Sequence, residues 1–359
     1  MKKRDLQLDI AKGLAIMLVV MGHVIQLSNV SFDQSVGFRF IYSFHMPLFV
    51  LLSGAAASFW YAPVQFGPNV RFEFVSYTLR IQRTGMRLVI PFVAWTLTYF
   101  FAYRKGSDAL AELAHVFANP DSSLWFLLCI FYCVLLLNMI QCALACIGVC
   151  IGALQRRGVF TSIQFTAEEQ LLVIVAVSLY FKLRAPFASV GIPSADAAIY
   201  LLKTFFFYFV LGLWFLRYGA SRMPATLPPV AALIFFTLGS YWIRTEPHSL
   251  VVDAPRLLYR LKGMYPVLTA LSGALMVYGI ALFCNASLPR WGRRGLAFLG
   301  MESLGIYAIH GVFLTLQPTF VAPLILSVLL SYGLGHIPLL RNIFLGSTSA
   351  TPFRQLGNS

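Results

Sequence analysis

Stretches of about twenty apolar residues, separated by short polar segments, follow one another along most of the chain. A helix needs about twenty such residues to cross the hydrocarbon core of a bilayer, so each stretch predicts a membrane span. The pattern therefore predicts an all-α fold, a polytopic transmembrane bundle of about ten helices. The predicted spans lie near residues 8–28, 38–60, 84–103, 124–142, 168–183, 197–218, 227–243, 264–284, 296–316 and 319–340.

Two regions make the number of spans less regular. The apolar run 124–154 is too long for one span, and we expect it to hold a tilted span followed by an interfacial piece. The run 168–183 is short for a span. Either region can change the count by one.

Lysine and arginine residues indicate the orientation of the bundle. With a cytoplasmic N-terminus, the inside segments hold about twice as many of these residues as the outside segments. Cytoplasmic loops carry such an excess, so we expect both termini in the cytoplasm. The loop 244–263 fits this less well, because it is predicted outside and yet is basic.

The composition excludes an ordinary soluble domain. Apolar residues make up 59% of the chain and charged residues 11%, against about 25% charged residues in soluble domains. The net charge of +14 lies largely in short loops between apolar runs, so it indicates topology and not a nucleic-acid partner. We expect one membrane-embedded domain over residues 1–345 and a short polar cytoplasmic tail over residues 346–359.

Three polar residues share one face of the first predicted helix. At about 100° per residue, Lys12 lies about 60° from Asp9, and His23 lies about 40° from it. A charge inside the hydrocarbon costs at least about 2.5 kcal/mol, so this face is expected to line a protein interior or a wet cavity. The alternative is a helix start with a charged flank and one buried, hydrogen-bonded histidine.

Two further histidines are predicted at the depth of His23. His45 lies near the start of the second span, and His310 lies near the middle of the ninth. Three helices would then bring one histidine each to one layer of the membrane. The alternative for His45 is a hydrogen bond to a carbonyl group that Pro47 leaves without a donor.

Other polar residues lie near the ends of spans. Arg80 and Arg83 fall on one helical face, and their planar guanidinium groups suit phosphate, so they predict a nucleotide site on the cytoplasmic side. Anchoring to anionic lipid explains them equally well. Glu302 is costly to bury without a partner and suits a helix-organising or donor-site role. Trp125 is placed to stack on a glycan or to anchor the interface.

Taken together, these motifs resemble those of acyltransferase family 3, integral-membrane O-acyltransferases, in particular the fucose 4-O-acetylase-like branch. The similarity covers most of the chain. A basic residue eleven positions before a histidine is a hallmark of the family, matched here by Lys12 where many members carry arginine. The matching segments are residues 8–13 with Gly22 and His23, 44–49 with 52–54, Arg80 with Arg83, 124–127, and 303–307 with His310.

The resemblance implies transfer of an acyl group, usually acetyl, from acyl-coenzyme A to a sugar hydroxyl. A neutral histidine suits removal of the hydroxyl proton. The implied roles are His23 as base, Asp9 and Lys12 in support, His45 as donor to the oxyanion or thiolate, Arg80 and Arg83 with Glu302 and Ser303 at the coenzyme, and His310, Tyr307 and Trp125 at the acceptor.

The expected co-substrate is acetyl-CoA or another acyl-CoA. We expect no metal, because the sequence has no C-x-x-C motif and its cysteines lie mostly in one apolar segment. The expected partners are the lipid bilayer and a glycan or lipid-linked saccharide acceptor, with the protein in a bacterial inner membrane. A glycan transporter or exporter is the alternative function, and the sequence leaves the sugar and the oligomeric state open.

Overall fold

A computed structural model describes most of the chain. It covers residues 5–28, 31–61, 74–103, 108–119, 124–156, 172–173, 175–177, 180, 190–244, 254–261, 263–316 and 319–346. Within these ranges the secondary structure is helical, without a β-strand, which confirms the predicted all-α class. The α-helices are α1 (Leu6–Ser28), α2 (Val36–Tyr42), α3 (His45–Ala57), α4 (Phe74–Tyr103), α5 (Ala109–Ala118), α6 (Trp125–Arg156), α7 (Pro193–Trp214), α8 (Leu227–Gly239), α9 (Arg256–Arg260), α10 (Tyr265–Ser287), α11 (Arg290–Met301), α12 (Ser303–Leu316), α13 (Val321–His336) and α14 (Pro338–Phe344).

Six helical segments in the described ranges are long and apolar enough to cross a membrane, and a bent pair of helices makes a seventh if it counts as one span. The six are Leu6–Ser28, Val36–Ala57, Ser76–Ala102, Trp125–Cys150, Pro193–Arg222 and Tyr265–Ser287. The count of ten and the cytoplasmic termini stay predictions. The predicted span 168–183 and the predicted tail lie largely outside the described residues.

Three predicted segments differ from the helices of the structure. The run 124–154 does not divide into two pieces, because α6 is one helix of 32 residues with no proline to interrupt it. The span expected at 296–316 is instead two helices, α11 and α12, which meet at Glu302 at an angle of 76°. The helix expected at 84–103 begins earlier, at Phe74, so the arginines near its start lie within α4.

The chain forms two compact units. The first contains residues 1–52 and 218–359, and the second contains residues 53–217. In the first unit α1 packs against α10, α11 and α12, while α8 packs on α10 and α12 on α13. In the second unit α6 packs against α4 and α7.

Two glycines let α1 and α11 meet backbone to backbone in the first unit. A Cβ atom on Gly13 would overlap the carbonyl oxygen of Leu296, and one on Gly300 would overlap the carbonyl oxygen of Asp9. Only glycine permits so close an approach of two main chains. The contact fixes the first half of α1, and its second half carries the histidine described below.

Candidate active site

A cluster of aromatic and imidazole rings lies between α1, α2 and α12 in the first unit. The ring centroids of His23 and His310 are 5.2 Å apart. The ring of Tyr42, at the end of α2, lies 6.1 Å from that of His23 and 4.5 Å from that of His45. His23 is partly exposed, whereas His45 and His310 are buried.

His23 makes its hydrogen bonds with two side chains. Its Nδ1 lies 3.3 Å from Oε1 of Gln26, one turn further along α1, and 3.2 Å from the hydroxyl oxygen of Tyr42. Tyr42 in turn donates to Oε1 of Gln26 at 2.6 Å. Sequence reasoning missed both partners. A glutamine within an apolar helix was a usable signal, but a tyrosine near a span end is ordinarily an interface anchor.

The two buried histidines bind backbone carbonyl groups. Nδ1 of His310 lies 3.0 Å from the carbonyl oxygen of Ile306 and 2.8 Å from that of Tyr307. Nδ1 of His45 lies 2.9 Å from the carbonyl oxygen of Ile41, at the break between α2 and α3. A carbonyl only accepts, so Nδ1 of both rings is protonated and, in the neutral ring, Nε2 carries the lone pair.

Asp9 and Lys12 lie at the other end of α1 from His23. The separations of fourteen and eleven residues correspond to about 21 and 16 Å along the helix axis. Asp9 is buried where α1 meets α11, and Lys12 is half-buried. They share the helix of His23 and do not contact its imidazole.

Glu302 occupies the bend between α11 and α12. It is buried, and its Oε2 accepts a hydrogen bond of 2.5 Å from the hydroxyl of Ser331 on α13. Ser303 begins α12 and is half-buried. Tyr307 is also on α12, and its ring centroid is 6.0 Å from that of His310.

The second unit holds the remaining predicted site residues. Nη1 of Arg80 donates to Oε1 of Gln141 at 3.0 Å and to Oδ1 of Asn138 at 3.4 Å, and its guanidinium lies 5.0 Å from the centre of the Trp60 ring. Arg83, one turn along α4, is exposed. The two arginines therefore have different surroundings.

The ring of Trp125 stacks on that of Phe205, with centroids 5.0 Å apart and planes at 30°. Trp125 begins α6 in the second unit and is half-buried. One of its faces is therefore covered by Phe205.

A family model described as an acyltransferase domain matches residues 5–347. The chain belongs to this acyltransferase family. Membership confirms the resemblance to an acyltransferase family that the sequence motifs indicated. The matched range contains His23, Tyr42 and His310, so the ring cluster belongs to the acyltransferase domain.

Two curated relatives match part of the chain. Nodulation protein NolL of Mesorhizobium japonicum is 30% identical over 148 residues, which is 38% of this chain and 36% of the relative. Nodulation protein NolL of Sinorhizobium fredii is 31% identical over 139 residues, 36% of this chain and 35% of the relative. The chain thus spans about a third of the length of either relative. No solved structure matches the chain.

The ring cluster suits proton transfer. A neutral imidazole with a free lone pair accepts a proton near neutral pH, and a partly exposed ring can be reached by a substrate. In the described parts of the chain, no group of three or more His, Cys, Asp or Glu side chains is placed to hold a metal ion. The titratable groups of the cluster are imidazoles and a phenol, which indicates acid–base chemistry.

Proposed function

We propose that the protein is a membrane O-acyltransferase, most simply an O-acetyltransferase, which moves an acyl group from acyl-CoA to a sugar hydroxyl. The acceptor is a cell-surface or exported polysaccharide, or its lipid-linked precursor. The observation that carries the proposal is the partly exposed His23 in a ring cluster of a chain that matches an acyltransferase domain from residue 5 to residue 347.

His23 acts as the general base. Its Nε2 takes the proton of the acceptor hydroxyl while the hydroxyl oxygen attacks the thioester carbonyl carbon. The tetrahedral intermediate collapses as the bond between carbon and sulfur breaks, leaving the sugar ester and the coenzyme thiolate. The proton on His23 then passes to the thiolate, so the enzyme returns to its starting state.

His45 and His310 surround this base. His310, with Tyr307, is proposed to contact the acceptor. In the neutral state His45 has no proton on Nε2, because its proton is on the Nδ1 that binds Ile41. The proposed donation from His45 to an oxyanion or thiolate therefore requires the protonated ring. Trp125 is proposed to stack on a sugar ring.

Arg80 and Arg83 are proposed to bind the coenzyme phosphates, with Glu302 and Ser303 contributing to the donor site. Guanidinium chemistry supports this role. Arg83 is exposed, and the hydrogen bonds that Arg80 makes to described residues use Nη1 alone. Asp9 and Lys12 are about 16 to 21 Å from His23 along α1, which suits a role on the donor path better than at the hydroxyl.

The membrane arrangement proposed with this function is ten spans in a bacterial inner membrane, with both termini in the cytoplasm. Residues 1–345 form the membrane-embedded domain, and residues 346–359 form a polar tail. The donor enters from the cytoplasmic side, and the acceptor enters from the outer side or from the bilayer. The excess of basic residues in the predicted inside segments supports this orientation.

The test is coenzyme release by the purified protein in liposomes, with acetyl-CoA and saccharide extracts from the native host. His23→Ala should lower acceptor-dependent release by at least about a hundredfold, because a general base contributes about 10² to 10⁴ in rate. His336→Ala is the matched control, since His336 is an exposed histidine of α13 that bonds its own helix at Tyr332. Equal rates for the two variants would refute the proposal. Saccharide movement across the membrane without coenzyme release would support a transporter instead.

A further inference from the structure

The approach of α2 to α1 depends on the residue before His23. A Cβ atom on Gly22 would lie 2.9 Å from Cε2 of Tyr42 and 3.1 Å from Cγ2 of Ile41. Both distances are shorter than the usual contact of about 3.5 Å between carbon atoms. Glycine at this position therefore allows the Tyr42 ring to lie directly on α1 beside His23.

The Tyr42 ring is held from its other side as well. It stacks on the ring of Phe38, with centroids 3.9 Å apart and planes at 26°. Phe38 is completely buried. A tyrosine has only two side-chain torsions, so a ring fixed between Gly22 and Phe38 places its hydroxyl group in one position.

Hydrogen positions in the cluster follow from this placement. Tyr42 donates its proton to Oε1 of Gln26 at 2.6 Å, the shortest distance in the group. The oxygen atoms of Gln26 and Tyr42 then both face Nδ1 of His23 as acceptors, at 3.3 and 3.2 Å. In the neutral ring Nδ1 therefore carries the proton, and Nε2 carries the lone pair.

We propose that Gln26 and Tyr42 are positioning residues that hold His23 in the Nδ1–H tautomer and fix the direction of Nε2. The inference rests on the proposed role of His23 as the base. Neither residue needs to touch the reacting atoms. When Nε2 takes the hydroxyl proton, the two oxygens also stabilise the positive charge of the ring through the Nδ1–H group, as hydrogen bonds to a charged group are stronger.

Three variants and one control test this role in the acetyl-CoA assay. Tyr42→Phe keeps the ring and removes the hydroxyl, Gln26→Leu removes the acceptor at similar size, and Gln26→Glu restores an oxygen acceptor. The control is Tyr265→Phe, since Tyr265 is a buried tyrosine of the same unit whose hydroxyl donates to the carbonyl of Leu238 at 2.9 Å.

Tyr42→Phe and Gln26→Leu should each lower kcat by about tenfold, with KM for acetyl-CoA unchanged, because each loses a hydrogen bond that orients the base. Gln26→Glu should recover most of kcat. Tyr265→Phe should melt at a lower temperature with unchanged kcat. This pattern separates positioning from packing, since loss of packing alone lowers the amount of folded protein and leaves kcat of the folded fraction unchanged.

The inference fails if Tyr42→Phe and Gln26→Leu keep wild-type kcat while His23→Ala abolishes release. It fails equally if Gln26→Glu is as slow as Gln26→Leu, because the oxygen acceptor would then be irrelevant. The proposed function itself fails in a different way, by the absence of acceptor-dependent release from the wild-type protein or by an unaltered rate of His23→Ala.

Discussion

Replacing Gly300 by alanine tests whether the part of α1 that contains Asp9 and Gly13 packs directly against the backbone of α11. The new methyl group would overlap the carbonyl oxygen of Asp9 and would lie 2.8 Å from its carbonyl carbon and 2.9 Å from the amide nitrogen of Gly13. These atoms belong to a helix backbone and cannot turn away as a side chain can. To bring the new Cβ atom to a normal distance from this carbonyl oxygen, α1 and α11 must separate by more than about 1 Å.

The cost is best expressed relative to Gly295→Ala. Gly295 lies in the same helix, and a Cβ atom there would have no heavy atom within 4 Å. Both substitutions gain up to about 1 kcal/mol of helix propensity, which cancels in the comparison. The remaining steric term for Gly300→Ala is about 1–3 kcal/mol, as for other overpacked sites.

The assay is thermal unfolding of the detergent-solubilised protein, followed by loss of the monodisperse peak. By the scaling for soluble domains, about 2–4 °C per kcal/mol, Gly300→Ala should melt roughly 2 to 12 °C below Gly295→Ala. Gly13→Ala should behave like Gly300→Ala, because its Cβ atom would overlap the carbonyl oxygen of Leu296. Equal melting temperatures for Gly300→Ala and Gly295→Ala would refute the close contact of the two backbones.

Two further predictions use matched pairs. Ser331→Ala removes a hydrogen-bond donor to the buried Glu302 side chain and should cost about 1–3 kcal/mol of stability. Ser327→Ala, on the same helix, should be nearly neutral, because the buried Ser327 hydroxyl has no hydrogen-bond partner among the described residues. Melting temperatures of the two variants decide this. Arg80→Met removes a hydrogen-bond donor from two buried amide oxygens of α6 and should destabilise the protein by about 1–3 kcal/mol. The exposed Arg83 can be changed to Met without loss of stability. A raised KM for acetyl-CoA in a stable Arg83→Met protein would support the donor site, and an unchanged KM would contradict it.

Hydropathy predicted the helical class because burial in lipid requires each backbone group to be satisfied within its own segment. It predicted bends less well. The break at Glu302 has no proline at or next to it, so no proline marks it in the sequence. The break at 43–44 lies four residues before Pro47, which has no N–H group for the carbonyl of Ser43, so Pro47 is a local signal there. In α6 the reverse holds, since length alone suggested a division that the uninterrupted helix does not make.

In the candidate site, too, positions within one helix could be predicted from the sequence, whereas contacts between helices could not. Helical periodicity predicts Asp9, Lys12 and His23 on one face of the first helix from local information alone. The contact between His23 and Tyr42 joins residues 19 positions apart through the turn before α2, and no periodicity reports such a contact. The sequence showed Gly22 as part of a motif. Only the structure shows that the Tyr42 ring packs directly on Gly22.

The hydrogen-bond partners of His23 differ in kind from those of His45 and His310, and this difference supports the proposed choice of His23 as the base. His45 and His310 each bind the carbonyl of the residue four positions earlier in the chain, and only 3% and 6% of their surfaces are exposed. Their rings are held by local backbone, so they are the fixed and buried members of the cluster. His23 is partly exposed and is held by side chains from two helices, which can adjust by small rotations when its ring becomes charged. Greater exposure makes His23 the histidine of the cluster that an entering hydroxyl group would reach most easily, and the proposed direct attack on the thioester requires only one such base.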